Sequence, residues 1–134
     1  MPTLATDALS SFGAEGGCGF FGTTFCEIPI YTVPAGQIAV IESTSGRCFY
    51  NAGNLNEIFL QFQNPTATGS NTVDIFLERT HGNSGNGAVE TWTDSLKNYA
   101  FGGSSGTPIK ARVFFDSAES GDCVITISGH LVAQ

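Results

Sequence analysis

Two histidines, His81 and His130, and twelve carboxylates are the side chains in this 134-residue chain best suited to moving protons near neutral pH. A serine nucleophile needs such a histidine within hydrogen-bond reach and an acid behind it. Ser128-Gly129-His130 supplies the types. In an extended run, however, residues i and i+2 share one side of a strand and read as a solvated polar face. No GxSxG turn occurs. His81 opens HGNSGNG and reads as an exposed turn residue. Glu90 with Asp94, close to Trp92, is the best carboxylate pair for glycoside hydrolysis, but spacing along the chain does not set the separation in space that such chemistry needs. Asp116, Glu119 and Asp122 crowd into FDSAESGD. That density of oxygen ligands suits Ca²⁺, although the spacing is not that of an EF-hand, and a solvated acidic loop is the simpler reading. The expectation is therefore no catalytic residue, no cofactor and no metal, with calcium at Asp116, Glu119 and Asp122 as the alternative.

Aromatic and sulfur side chains offer other chemistry. Trp92, Tyr99 and Tyr50, if gathered on loops at one end of the fold, would make a sugar-stacking platform and so a glycan-binding module. The four cysteines are Cys18, Cys26, Cys48 and Cys123. They lack the CxxC or Cys/His spacing of zinc and thioredoxin sites. Two disulfides are the leading reading and buried free thiols the alternative. Cys18 and Cys26 bracket a Gly- and Phe-rich segment able to close on itself. Of the three possible pairings we favour Cys18–Cys26 with Cys48–Cys123.

These groups must be positioned by short β-rich runs. The stretch 30–45, IYTVPAGQIAVIESTS, reads as an extended arm, a turn at Pro34-Ala35-Gly36 and a strand carrying Ile38, Val40 and Ile41. Proline fixes φ for the first central turn position, and Gly36 supplies φ > 0. Ile58, Leu60 and Phe62 alternate with Phe59, Gln61 and Gln63. Val73, Ile75 and Leu77 alternate with Asp74, Phe76 and Glu78. Ile109, Ala111, Val113 and Phe115 alternate with Lys110, Arg112, Phe114 and Asp116. The final run, from Cys123 to Leu131, keeps the same two-residue period. Residues 46–56 read as a loop, 94–99 as a helical turn with Asp94 as its N-cap, and 101–108 and 117–122 as turns. Seven or eight short strands with frequent turn signals predict an all-β, antiparallel sandwich of jelly-roll or immunoglobulin-like kind. Residues 1–17, small and Gly-rich, read as a flexible arm ahead of a single domain at 18–134.

Composition narrows the partners. Five basic residues against twelve acidic ones, a net charge of −7, are too few and too scattered to neutralise a phosphate backbone, so no nucleic acid is expected. No apolar run approaches the roughly 18 residues of a membrane span. The opening MPTLATDALSSFGAEGG has neither the positive nor the apolar region of a signal peptide. With disulfides expected, the reading is an extracytoplasmic protein, secreted or released with a virion.

YTVPAGQIAVIES and the closing CVITISGHLV resemble segments of small bacterial exported β-sandwich proteins of uncharacterised function, which carry a VPAG-type turn and end in an SGYLV-type strand. A similar YTVPAG start occurs in β-sandwich proteins of phage virions. The likeness covers about residues 29–133 and rests on turn chemistry and strand pattern. It implies a sandwich fold, export or virion incorporation, and no catalytic residues. Phe12, Phe20, Phe21 and Phe25 lie in a Gly-rich segment with no strand pattern of its own, and they are the expected anchors for a homo-oligomer or shell contact. The functional expectation is thus a non-catalytic structural protein, with the glycan-binding module as the alternative.

Overall fold

A computed structural model describes residues 10–51, 54–83 and 88–133, with the side chains of residues 80–83, 88, 94 and 96 left aside. Seven strands occur among them: β1 (Ser10–Val33), β2 (Gln37–Tyr50), β3 (Leu55–Thr66), β4 (Gly69–Phe76), β5 (Thr80–Asn83), β6 (Ala88–Phe101) and β7 (Thr107–Ala133). All pairings are antiparallel and none of the described residues is helical.

β7 organises the sheet. Its first half, 107–115, lies between the second half of β1 and β3, and β4 lies beyond β3. Its second half, 121–133, lies between the first half of β1 and β2, followed by β6 and β5. The β1–β7 ribbon therefore belongs to both halves of the sheet, and it irregularly shifts register at Phe20, Thr23 and Phe25. Gly22 takes φ 65° there, and its N–H donates to Ser120 Oγ at 3.1 Å. A bulge with a glycine in the left-handed region is how a strand turns a corner without losing its ladder.

The corner lays the halves face to face. Phe12 stacks on Tyr31 with ring centroids 4.9 Å apart, and Phe20 tilts against Phe115 at the same distance. A Cβ on Gly16 would fall 2.8 Å from Ile28 Cγ2. Only glycine permits so close an approach between β1's two halves. One core cluster fills the space between, with Ile28, Ile58, Leu60 and Val113 from one half and Ile41, Cys48, Ile125 and Ile127 from the other. Two-residue alternation supplies these inward positions.

The turn expected at Pro34-Ala35-Gly36 is present: Gly36 has φ 76° and Gln37 N donates to Pro34 O at 3.2 Å. Four local expectations are corrected. Residues 46–50 continue β2 instead of looping, because Gly46 lets the Trp92 ring lie over the strand, where a Cβ would come within 3.0 Å of Trp92 Cη2. Residues 94–99 form part of β6, paired to β2, with no helical turn and no capping role for Asp94. Residues 117–122 stay within β7 as its corner. Of the expected arm, 1–9 lie outside the described residues, but 10–17 are strand, registered against 124–131. Their inward positions, Phe12, Ala14, Gly16, Cys18 and Phe20, are each less exposed than their neighbours.

Candidate functional site

The half of the sheet built from β1, β7, β3 and β4 turns one face to the core and the other outward. Register fixes who meets whom on the outer face. Phe76 opposes Phe59, Phe59 opposes Arg112, Arg112 opposes Glu27, and Phe114 opposes both Phe25 and Glu57. Directly opposed side chains share a face, so these residues form one patch across four strands.

The phenylalanines form a continuous row. Ring centroids are 5.0 Å apart for Phe76–Phe59, 6.0 Å for Phe59–Phe114 and 4.9 Å for Phe114–Phe25. These spacings suit offset and tilted aromatic pairs. Arg112 lies over the row, 4.9 Å from the Phe25 centroid and 5.8 Å from that of Phe114, a cation–π arrangement. Glu27 Oε2 stands 3.4 Å from Arg112 Nε and 3.3 Å from Lys110 Nζ. The Arg112 contact is an ion pair by distance without the direction of a hydrogen bond. Phe59 is buried beneath its neighbours, whereas Phe76 remains 61% exposed.

The anchors expected from the sequence divide. Phe25 belongs to this row. Phe12 and Phe20 are spent against Tyr31 and Phe115 within the chain, so the segment 12–27 does not present four free aromatics. Phe21 is 88% exposed. Both expected disulfides form, Cys18–Cys26 and Cys48–Cys123. The second joins directly opposed residues of neighbouring strands, with Cα atoms 4.1 Å apart. Disulfides of this kind persist in oxidising surroundings outside the cytoplasm. No helix among the described residues is long and apolar enough to cross a membrane.

The sugar-stacking platform does not assemble. Trp92 and Tyr50 are core residues, and only Tyr99 is exposed. Tyr50 donates to Glu90 Oε1 at 3.1 Å. Its hydroxyl is pushed up to about 12 by burial first, and then by the Glu90 carboxylate. Glu90 is thus tied into the core, and the Asp94 side chain lies outside what the structure describes, as does that of His81.

The three acids of the proposed calcium loop have separate duties. Asp116 accepts from the backbone N–H and the side-chain amide of Asn54, both at 3.0 Å, and the backbone bond leads in holding its carboxyl below the ordinary value. Glu119 is buried and accepts from Ser117 at 2.9 Å, while Asp122 is exposed opposite Phe49. Among the described residues no group of three or more metal-ligating side chains comes together. Ser128 and His130 are also held apart: Ser128 Oγ meets Ser43 Oγ at 2.5 Å, and His130 Nδ1 meets Glu42 Oε1 at 2.9 Å.

The row was missed in the sequence, though its signal was present. Phe59, Phe76 and Phe114 occupy the alternation positions otherwise filled by Gln61, Asp74 and Arg112. Phenylalanine on the polar side of three separate strand patterns marks an aromatic outer face. No protein-family model and no curated protein sequence matches this chain.

Proposed function

We propose that this is a non-catalytic structural protein, exported or virion-borne, that assembles through the outward phenylalanine row with a second copy of itself. The observation that carries the reading is the unbroken Phe25–Phe114–Phe59–Phe76 row on the outside of the sheet. Phe76, 61% exposed at the end of that row, with Phe25 and Phe114 half-buried along it, leaves apolar surface in water that a partner would cover.

Charge favours a second copy as its occupant. The chain carries −7 overall, which drives copies apart. Two of its five basic side chains, Lys110 and Arg112, nevertheless stand on this face beside Glu27 and Glu57. A two-fold contact brings each patch onto itself, so acids of one copy meet bases of the other around an aromatic centre. Completing the burial of a phenylalanine contributes up to about 1.5–3 kcal/mol, and Phe76 has most of that still to gain.

The test is mass by light scattering for wild type, Phe76→Ser and Phe21→Ser. Phe76→Ser, on an exposed side chain, should return a folded monomer while Phe21→Ser keeps the assembly. Loss of assembly with Phe21→Ser alone would move the contact to the corner of β1 and refute the assignment.

A further inference from the structure

A second feature lies beside the aromatic row. The ladder between β3 and β7 stops at the pair Gln61–Lys110. β3 runs on to Thr66, and β7 begins at Thr107, so the strands part beyond that pair. Loop 102–106 stands across the gap. Between them is a cavity of about 510 Å³, within the roughly 300–1,000 Å³ of small-ligand sites.

Its walls are held before any ligand arrives. Gly36 N donates to Gly103 O at 2.8 Å, Gly102 N to Gln37 O at 2.7 Å and Gly106 N to Gly102 O at 2.9 Å, which pins the loop to the Pro34–Gly36 turn and to itself. A Cβ on Gly102 would strike Pro34, so that glycine is required for the loop to seat. On the other side Asn64 clamps β3 to β6, donating to Tyr99 O at 3.0 Å and accepting from Phe101 N at 2.9 Å. A preformed cleft avoids the ordering cost that weakens binding by mobile loops.

The chemistry of the lining is amide and hydroxyl. Gln61 Nε2 donates to Asp74 Oδ1 at 2.9 Å, and Gln63 Oε1 accepts from Ser70 at 2.9 Å. Those bonds orient both amides and leave Gln61 Oε1 as an acceptor and Gln63 Nε2 as a donor, neither with a partner among the described residues. Ser104 and Ser105 add hydroxyls, and Pro65 and Pro108 add small apolar faces. Among the described residues the one cation in the lining, Lys110, is already countered by Glu27 at 3.3 Å. Such a site has no uncompensated charge to offer an anion. Paired donors and acceptors beside apolar C–H faces match a ring bearing vicinal hydroxyls.

We propose that the cleft between the end of β3, the start of β7 and loop 102–106 binds a neutral carbohydrate unit through Gln61, Gln63 and Ser70. The lining holds none of the four phenylalanines of the row, although Lys110 borders both features, and Phe76→Ser should leave the cleft intact.

The experiment titrates isotopically labelled full-length protein with methyl glycosides of glucose, galactose, mannose and N-acetylglucosamine, and separately with sodium phosphate, while backbone amide shifts are followed. At least one glycoside should move the amides of Gln61, Gln63, Ser70 and residues 104–106 at millimolar concentration. Gln63→Ala and Ser70→Ala, both on exposed side chains, should each weaken that glycoside about tenfold, the loss of one well-placed hydrogen bond. The assignment is overturned if no glycoside moves these amides, if the shifts map elsewhere, or if phosphate alone moves them. Undiminished binding by both folded variants overturns it equally.

Discussion

Replacing Cys48 and Cys123 together by alanine should destabilise the protein far more than replacing Cys18 and Cys26. The two bonds close loops of very different length, with sequence separations of 75 and 8. In the chain-entropy model these are worth about 4.5 and about 2.6 kcal/mol, a gap of about 2 kcal/mol. Packing acts in the same direction. Cys48 and Cys123 are 0% and 1% exposed inside the core, whereas Cys18 is only half-buried at its edge. Trimming sulfur from the fully enclosed site therefore leaves the larger void. The assay is guanidinium unfolding of wild type and the two double variants, read as the unfolding free energy extrapolated to water, because cutting a cross-link expands the unfolded chain and raises the slope. An equal or larger loss for Cys18→Ala/Cys26→Ala would show that neither loop length nor core enclosure ranks the two bonds. So would non-reducing peptide mapping that found Cys48 or Cys123 as free thiols in native protein.

Gly16→Val should destabilise by about 1–3 kcal/mol or prevent folding, because the new side chain meets Ile28 and the Pro29 backbone across the layers; thermal melting against Gly13→Val, where a Cβ would meet only Ile127 O at 4.0 Å, reads the contrast. The Tyr50 hydroxyl, ordinarily at 10.0, is pushed up to about 12 in the fold, so its contribution is intact below pH 10 and is lost as the pH rises through about 12. Tyr50→Phe should flatten that alkaline decline in melting temperature, and an unchanged decline would count against the buried Tyr50–Glu90 contact. Asn64→Ala should cost about 1–2 kcal/mol by freeing two backbone partners on β6, and hydrogen exchange at Phe101 N should quicken if the clamp is real.

How much of this was legible depended on which signal each residue carried. Strands with inward Ile, Val and Leu, such as 58–62 and 109–115, announced themselves by their two-residue period, and the Pro34–Gly36 turn by its residue types. The first half of β1 did not, because Gly16 occupies an inward position where a neighbouring layer leaves no room for a side chain. Glycine there records tertiary contact, yet read locally it resembles a flexible arm. Gly46 misled in the same way, since it accommodates the Trp92 ring in mid-strand. Residues 94–99 carry local helical preference, and pairing with β2 overrides it. The pairing of the cysteines was readable, but their setting was not. Cys18, Cys123 and Cys48 oppose one another across three adjacent strands, and only the register shows it. The aromatic row and the polar cleft likewise depend on which strands become neighbours, since β3 meets β7 across 48 or more intervening residues of chain, from Gln61 to Lys110.

Self-assembly through the outward phenylalanine row is tested most directly by sedimentation velocity of the wild-type protein over a wide concentration range, beside Phe76→Ser. The wild-type protein should sediment at a multiple of 14.0 kDa and dissociate on dilution, while the variant stays at 14.0 kDa throughout. A wild-type protein that remains a 14.0 kDa monomer at every concentration, or a variant that assembles as the wild type does, would contradict it.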